Sequence, residues 1–401
     1  MSAPHTLESL RAEPNSLAPH YARFQVSERL LLTGHSHQAW PDTAREAQLR
    51  AWDDAALHVD DKWGRALAEA ERVREGFAAW LEVPAEQVAL GTSTHELVVR
   101  FLSALDLRAR PRLVTTDGEF HTLRRQLDRL AEATHVEVVK VPAEPIDTLA
   151  ERLAAVVDGR TSAVFVSAVM FGSSRIVPHL RHTQAACTRH GAALLVDTYH
   201  ALGVLPYAVD ALGLQDALVT GGGYKYLQLG EGNCFLRVPP CFTALPVVTG
   251  WFSEFARLSE RPAGAVPFGE GHARWAGATY DPVSHYRAAR VFAFFREQGL
   301  RASFLREVSL HQVRRLASRF DALALPDALV TRDRETPSEG FGGFLALRTA
   351  HAAALHERLR ALGVLTDFRG DVLRLGPAPY VSDAQLDRAI DALGEAARAA
   401  T

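Results

Sequence analysis

Short apolar runs alternate with amphipathic ones through the middle of the chain. RLVTTD (112–117) reads as a strand and TLRRQLDRLAEA (122–133) as a helix. VEVVKV (136–141) is again a strand, and IDTLAERLAAVVD (146–158) a helix. TSAVFVSAV (161–169) is a buried strand, followed by HLRHTQAACTRHG (179–191), a helix stopped by glycine. AALLVD (192–197), DALVTGG (216–222) and NCFLRV (233–238) complete the strand series. Nearly unbroken apolar strands alternating with helices predict an α/β fold, a mostly parallel sheet covered on both faces.

The pattern changes after about residue 283. VSHYRAARVFAFFREQG and ASFLREVSLHQVRRLASRFDAL predict long helices, while FGGFLALRT, VLTDFR and DVLRLG predict short strands. SDAQLDRAIDALGEAARAA predicts a last helix opened by a Ser or Asp cap. The expected organisation is an arm (1–30) packing on the small domain, a large domain (31–282) and a smaller α+β domain (283–401). The proline- and glycine-rich stretch 261–282 is expected to carry loops near the junction.

Composition narrows the function. A chain of 401 residues that is 47% hydrophobic has material for a large core. A net charge of −3 without a basic tract argues against nucleic acid as a partner. No run of about 18 apolar residues predicts a membrane span. The first residues show no basic segment leading into an apolar one, so no secretory signal is expected. Cys187, Cys234 and Cys241 are scattered and form no CxxC pair, which supports neither a disulfide framework nor a zinc site. A reduced, cytoplasmic protein is the expectation.

The candidate chemistry lies at the ends of two strands. Ligands of α/β sheets bind at the carboxyl ends of strands. Asp197 ends AALLVD, His200 follows in DTYHALG, and Lys225 comes soon after DALVTGG. The plain alternative is an Asp capping a turn and a surface Lys. Only Lys62, Lys140 and Lys225 are lysines, which shortens the list of candidate amines. A lysine that condenses with an aldehyde cofactor must lose its proton, and a partly buried site lowers its pKa. Pyridoxal 5′-phosphate (PLP) also needs a carboxylate against its ring nitrogen, so that the ring accepts electrons. Arginine cannot replace Lys225, because it does not deprotonate in proteins.

The stretch DTYHALGVLPYAVDALGLQDALVTGGGYKYLQLGEGN (197–233) resembles the cofactor segment of fold-type I PLP enzymes of the class V aminotransferase group, and within it the kynureninase family. The D-x-x-H-x-x-G segment (Asp197, His200, Gly203), the Y-K-Y-L segment from Tyr224 and their short spacing carry the resemblance. It implies a large PLP-binding domain, a small C-terminal domain, and Lys225 bound to the cofactor. In LGTSTHEL (90–97), Ser93 and Thr94 would bind phosphate at a helix start; an ordinary N-cap is the alternative. TGWFSEF (249–255) would bring Trp251 near the phosphate, and AGATYDP (276–282) would bring Thr279 to it from the partner subunit of a homodimer.

In TTDGEFHTLRRQ (115–126) the resemblance allows two placements. Phe120 stacks on the cofactor in one, with His121 a weaker candidate; in the other, Thr116 and Glu119 fall at the family's Phe and Asp positions. A flat apolar face favours Phe120. In VLRLGPAPYVSDAQL (372–386) Arg374 would grip the substrate's α-carboxylate. The chain departs from the family at LTGHSHQAWPD (32–42), where His35 and His37 are additional, and at GEGN (230–233). His35 and His37 either touch substrate or are polar loop residues.

The resemblance therefore implies kynureninase-like cleavage of a Cβ–Cγ bond, giving alanine and an aryl carboxylate. Lys225 would move the Cα proton, Asp197 would anchor the ring, Tyr224 would donate a proton, and His200 would orient its neighbours. A transaminase, a β-lyase of the cysteine or selenocysteine type, or an epimerase keeps the cofactor and changes the reaction. Two readings from other classes are a nucleotide-binding dehydrogenase, for which TGGGYKY lies too late in the chain, and a catalytically silent PLP-fold partner protein.

Overall fold

The central sheet of the computed structural model runs, edge to edge, through Val88–Gly91, Cys234–Arg237, Leu218–Gly222, Ala193–Asp197, Thr161–Ser167, Arg112–Thr116 and Glu137–Val141. The structure describes residues 5–259, 264 and 266–399; the start of the loop stretch 261–282 lies partly outside these. The five strands from Leu218–Gly222 to Glu137–Val141 are parallel to one another, and Cys234–Arg237 is antiparallel to both of its neighbours. Successive side chains of a strand point to opposite faces. Val164 and Val166 accordingly join one core while Ala163 and Phe165 join another. Both faces are covered, which is why the whole strand Thr161–Ser167 is buried and reads as an unbroken apolar run.

The C-terminal part holds a three-stranded antiparallel sheet, in the order Asp367–Arg369, Val372–Leu375, Leu345–Arg348. Helices Ala302–Ala322, Ala352–Ala361 and Asp383–Arg398 accompany it. Ser382 opens the last helix: its side chain accepts from Gln385 N–H while the Gln385 side chain accepts from Ser382 N–H. The expected single strand VLTDFR is broken at Thr366, because its halves have different partners. Val364–Leu365 pairs in parallel with Leu30–Leu31 from the N-terminal segment, whereas Asp367–Arg369 forms a hairpin with Val372–Leu375. Residues 43–81, unassigned by the apolar pattern, form helices Thr43–His58 and Lys62–Leu81, on which helix Val283–Glu297 packs.

The N-terminal segment reaches both parts of the molecule. Arg11 pairs with Asp383 at 3.0 Å, and Asn15 Nδ2 donates to Pro379 O at 2.9 Å. Tyr21, fully buried, donates to Gln228 Oε1 at 2.5 Å, and Gln228 Nε2 donates on to Gln38 Oε1 at 2.8 Å. Gln228 follows Lys225 by one turn, so this chain of bonds pins the lysine loop from behind. Tyr21→Phe leaves a buried amide oxygen without its donor, which costs about 1–3 kcal/mol. The urea unfolding midpoint of the variant is therefore expected to fall; an unchanged midpoint contradicts the assigned role.

Candidate active site

The sheet brings the candidate residues to one rim. Asp197 ends its strand in register with Ser167 on one side and Thr220 on the other. The glycines beside Lys225 answer to close packing at that rim. A Cβ on Gly222 would lie 2.3 Å from Tyr199 Oη and 2.7 Å from Cys234 Sγ. Gly203 adopts a φ of 99°, and a Cβ there would lie 2.7 Å from Tyr226 Cβ. The Asp197 and Lys225 segments are therefore packed against each other, which fixes where the amine points.

Lys225 is buried, and its Nζ lies 2.7 Å from His200 Nε2. The Tyr199 ring centroid is 4.7 Å from Nζ, and that of Phe120 is 5.6 Å away. Burial pushes the amine down to about 7, with Asp197 opposing and Arg374 reinforcing the shift. The same burial and the neighbouring Lys225 charge hold His200 well below the usual histidine range, so its ring is neutral. Asp197 is half-buried with its open side on the cavity, and its carboxyl is raised by burial, against the Tyr199 N–H bond and Lys225. Among the described residues its carboxylate accepts one hydrogen bond, from Tyr199 N–H at 2.8 Å.

A cavity of about 300 Å³ opens between these groups, large enough for a small cofactor. Asp197, Lys225, His200, Tyr224 and Phe120 line it, and Ser93 and Thr94 line its other end. Ser93 caps helix Thr94–Ser103, and Thr94 Oγ1 contacts Cys234 Sγ at 3.6 Å. The helix start turns N–H groups and a favourable dipole towards an anion there.

Of the alternatives at 115–126, Phe120 faces the cavity. Thr116 instead turns inward and donates to Glu119 at 2.8 Å, and His121 lines a second, larger cavity of about 740 Å³ together with Phe171 and Phe344. Glu119 also accepts from Ser167 N–H and from Ser167 Oγ at 2.6 Å; burial still pushes its carboxyl up to about 7.

Other predicted residues lie outside the first cavity. Trp251 Nε1 donates to Thr279 Oγ1 at 3.2 Å on an exposed segment, and within one chain neither lines it. Arg374 is buried and bonded to Asp367 and to Phe171 O. His35 is fully buried with no hydrogen bond to either ring nitrogen; its ring lies 4.7 Å from Phe344, and burial pushes it down to about 4. His37 is exposed and stacks on Tyr224 at 5.0 Å. Asp367 and Tyr199 were not singled out by motif. Asp367 was findable, because a two-residue turn between DFR and VLR sets it opposite Arg374; Tyr199 had no signal beyond its place between Asp197 and His200.

This fold and rim of residues define a fold-type I PLP-dependent enzyme. The family model for class-V aminotransferases matches residues 55–226, and that for the kynureninase C-terminal domain matches residues 305–393. The kynureninase of Bacillus anthracis is 26% identical over 314 residues, covering 74% of this chain and 70% of its own. The 2-aminoethylphosphonate–pyruvate transaminase of Burkholderia pseudomallei is 30% identical over 196 residues, 48% of this chain and 50% of its own. Among solved structures, the cystine C–S lyase C-DES in complex with cysteine persulfide superposes with a TM-score of 0.81 at 16% identity, covering 92% of this chain and 98% of its own. A cysteine desulfurase from Thermococcus onnurineus gives 0.78 at 15%, covering all of both chains. The chain is a member of the class V aminotransferase group, and within that group it is kynureninase-like. The group's cofactor is PLP. The residues present fit it: an amine already shifted towards its neutral form, a cavity-facing carboxylate short of donors, and a hydroxyl-bearing helix start.

The desolvated amine has a measurable consequence in the cofactor-free protein. Lys225 titrates at about 7 when folded, against an ordinary 10.5. Between those values the unfolded chain holds the extra proton, so the stability attributable to Lys225 rises with pH across that window. Lys225→Met removes the buried charge. Its stabilising effect is expected to be largest below pH 7 and to shrink towards pH 10, in paired thermal melts of cofactor-free protein. A gain that grows with pH contradicts the assignment.

Proposed function

We propose that the protein is a homodimeric, PLP-dependent hydrolase of kynureninase type, cleaving the Cβ–Cγ bond of an amino acid with a γ-carbonyl and releasing alanine and an aryl carboxylate. The observation that carries the reading is the match of the C-terminal part to the kynureninase domain, a segment that includes Arg374. Bound PLP supplies the electron sink for a carbanion at the substrate Cα. Lys225 would hold the cofactor, and its amine would move the substrate's Cα proton. Asp197 would stand against the ring nitrogen and favour its protonated form, and Phe120 would cover the ring. Ser93 and Thr94 take the phosphate. His200, 2.7 Å from Lys225, orients the amine. Tyr224, at the mouth of the cavity, is the candidate proton donor, and Arg374 takes the α-carboxylate.

Trp251 and Thr279 are assigned to the phosphate of the partner subunit's site. Exposed Val247, Trp251 and Phe255 support a subunit contact on this side. The aromatic cluster of Phe120, His121 and Phe171, with centroids within 5.6 Å of one another, supports an aryl side chain on the substrate. A cytoplasmic location is part of the proposal; among the described residues no helix is long and apolar enough to cross a membrane. The structural likeness to a C–S lyase supports a second reading, a β-lyase.

PLP-loaded protein given kynurenine or 3-hydroxykynurenine is expected to release alanine and the matching anthranilate, followed by fluorescence. Lys225→Ala is expected to lower that rate at least about a thousandfold. Alanine from neither compound, with sulfur released from cystine, moves the assignment to the lyase.

A further inference from the structure

Arg374 and Asp367 stand directly opposite each other in the antiparallel hairpin of the small domain. A guanidinium has five N–H donors in a fixed plane. Asp367 Oδ1 accepts from Arg374 Nε at 2.8 Å and also from Nη2, so one oxygen serves the side edge of the fork. Phe171 O accepts from Nη1 at 2.7 Å. The other oxygen of Asp367 is taken by Arg369 Nη1 at 3.1 Å. These contacts use three of the five donors and leave one N–H on each of Nη1 and Nη2. A carboxylate accepts such a pair in two parallel bonds. The charges agree: among the described residues, the guanidiniums of Arg374 and Arg369 share this one carboxylate. The guanidinium is also fixed from its face, with Cζ 5.6 Å from the Phe344 ring centroid. Phe171, whose carbonyl holds Nη1, lines both the Lys225 cavity and the larger one beside it.

We propose that Asp367 is a positioning residue, which holds the side edge of Arg374 so that its two remaining terminal N–H groups face the substrate's α-carboxylate. The inference rests on the reading of Arg374 given above and adds what makes that arginine selective. Asp367 does not touch substrate; it fixes the plane and the exposed edge of the group that does. The same contact could instead only offset a buried positive charge. The two roles have opposite signs, because removing an anion that merely offsets charge strengthens the binding of another anion.

The test titrates PLP-loaded wild type, Asp367→Ala and Asp367→Asn with L-alanine and with L-alaninamide, which lacks the anionic carboxylate, and follows the cofactor's visible absorption. Wild type is expected to prefer alanine. Asp367→Ala is expected to bind alanine at least about tenfold more weakly, as displaced binding groups do, and alaninamide as before. Asp367→Asn, which keeps an acceptor oxygen in place, is expected to stay near wild type. A wild type without preference removes the Arg374 reading and this inference with it. With the preference intact, three results overturn the inference alone. They are alanine binding by Asp367→Ala that is equal or tighter, equal loss of both probes, and a loss in Asp367→Asn as large as in Asp367→Ala.

Discussion

A buried primary amine constrains the rest of this site. Lys225 Nζ has the His200 imidazole at 2.7 Å and the Tyr199 ring at 4.7 Å, and among the described residues it pairs with no carboxylate. Desolvation therefore dominates, and the attraction of Asp197 only moderates it. The contrast is Lys140, whose amine pairs with Asp128 at 2.6 Å on a partly exposed surface. An amine poised near neutrality suits condensation with an aldehyde; a fully paired one does not.

Keeping that amine in place requires the two strands that end beside it. The register of Ala193–Asp197 with Leu218–Gly222 sets Asp197 and the turn to Lys225 on one rim. Behind Asp197, Glu119 is a second buried carboxyl, satisfied by Thr116 and Ser167 and pushed up to about 7. Asp197, the carboxyl that faces the cavity, favours in its ionised form a proton on a basic nitrogen placed there. At the far side, the small domain supplies Arg374 through a hairpin whose register is set by the Asp367–Arg374 pair. In the proposed reaction the central-sheet part would provide proton chemistry, and the C-terminal part would provide orientation.

Much of this was legible in the sequence for specific reasons. The strands buried on both faces announce themselves as apolar runs, and Asp197 is conspicuous as the first polar residue after one. Close packing against Thr198, Tyr199 and Leu229 left its mark as TGGG. Helix Thr43–His58 was hidden because Leu49, Trp52 and Leu57 are exposed, so its apolar residues do not mark a buried stripe. The break at Thr366 was hidden because local pattern does not say which strand each half will pair with. The burial of His35 was equally illegible: its loop is polar in sequence, and only the fold sets it against Phe344 and 3.7 Å from Asp367.

The most direct measurement is to reduce the PLP-loaded protein with borohydride, digest it and locate the added mass by mass spectrometry. The account predicts the tag on the peptide containing Lys225. A tag on Lys62 or Lys140, or no tag, contradicts it.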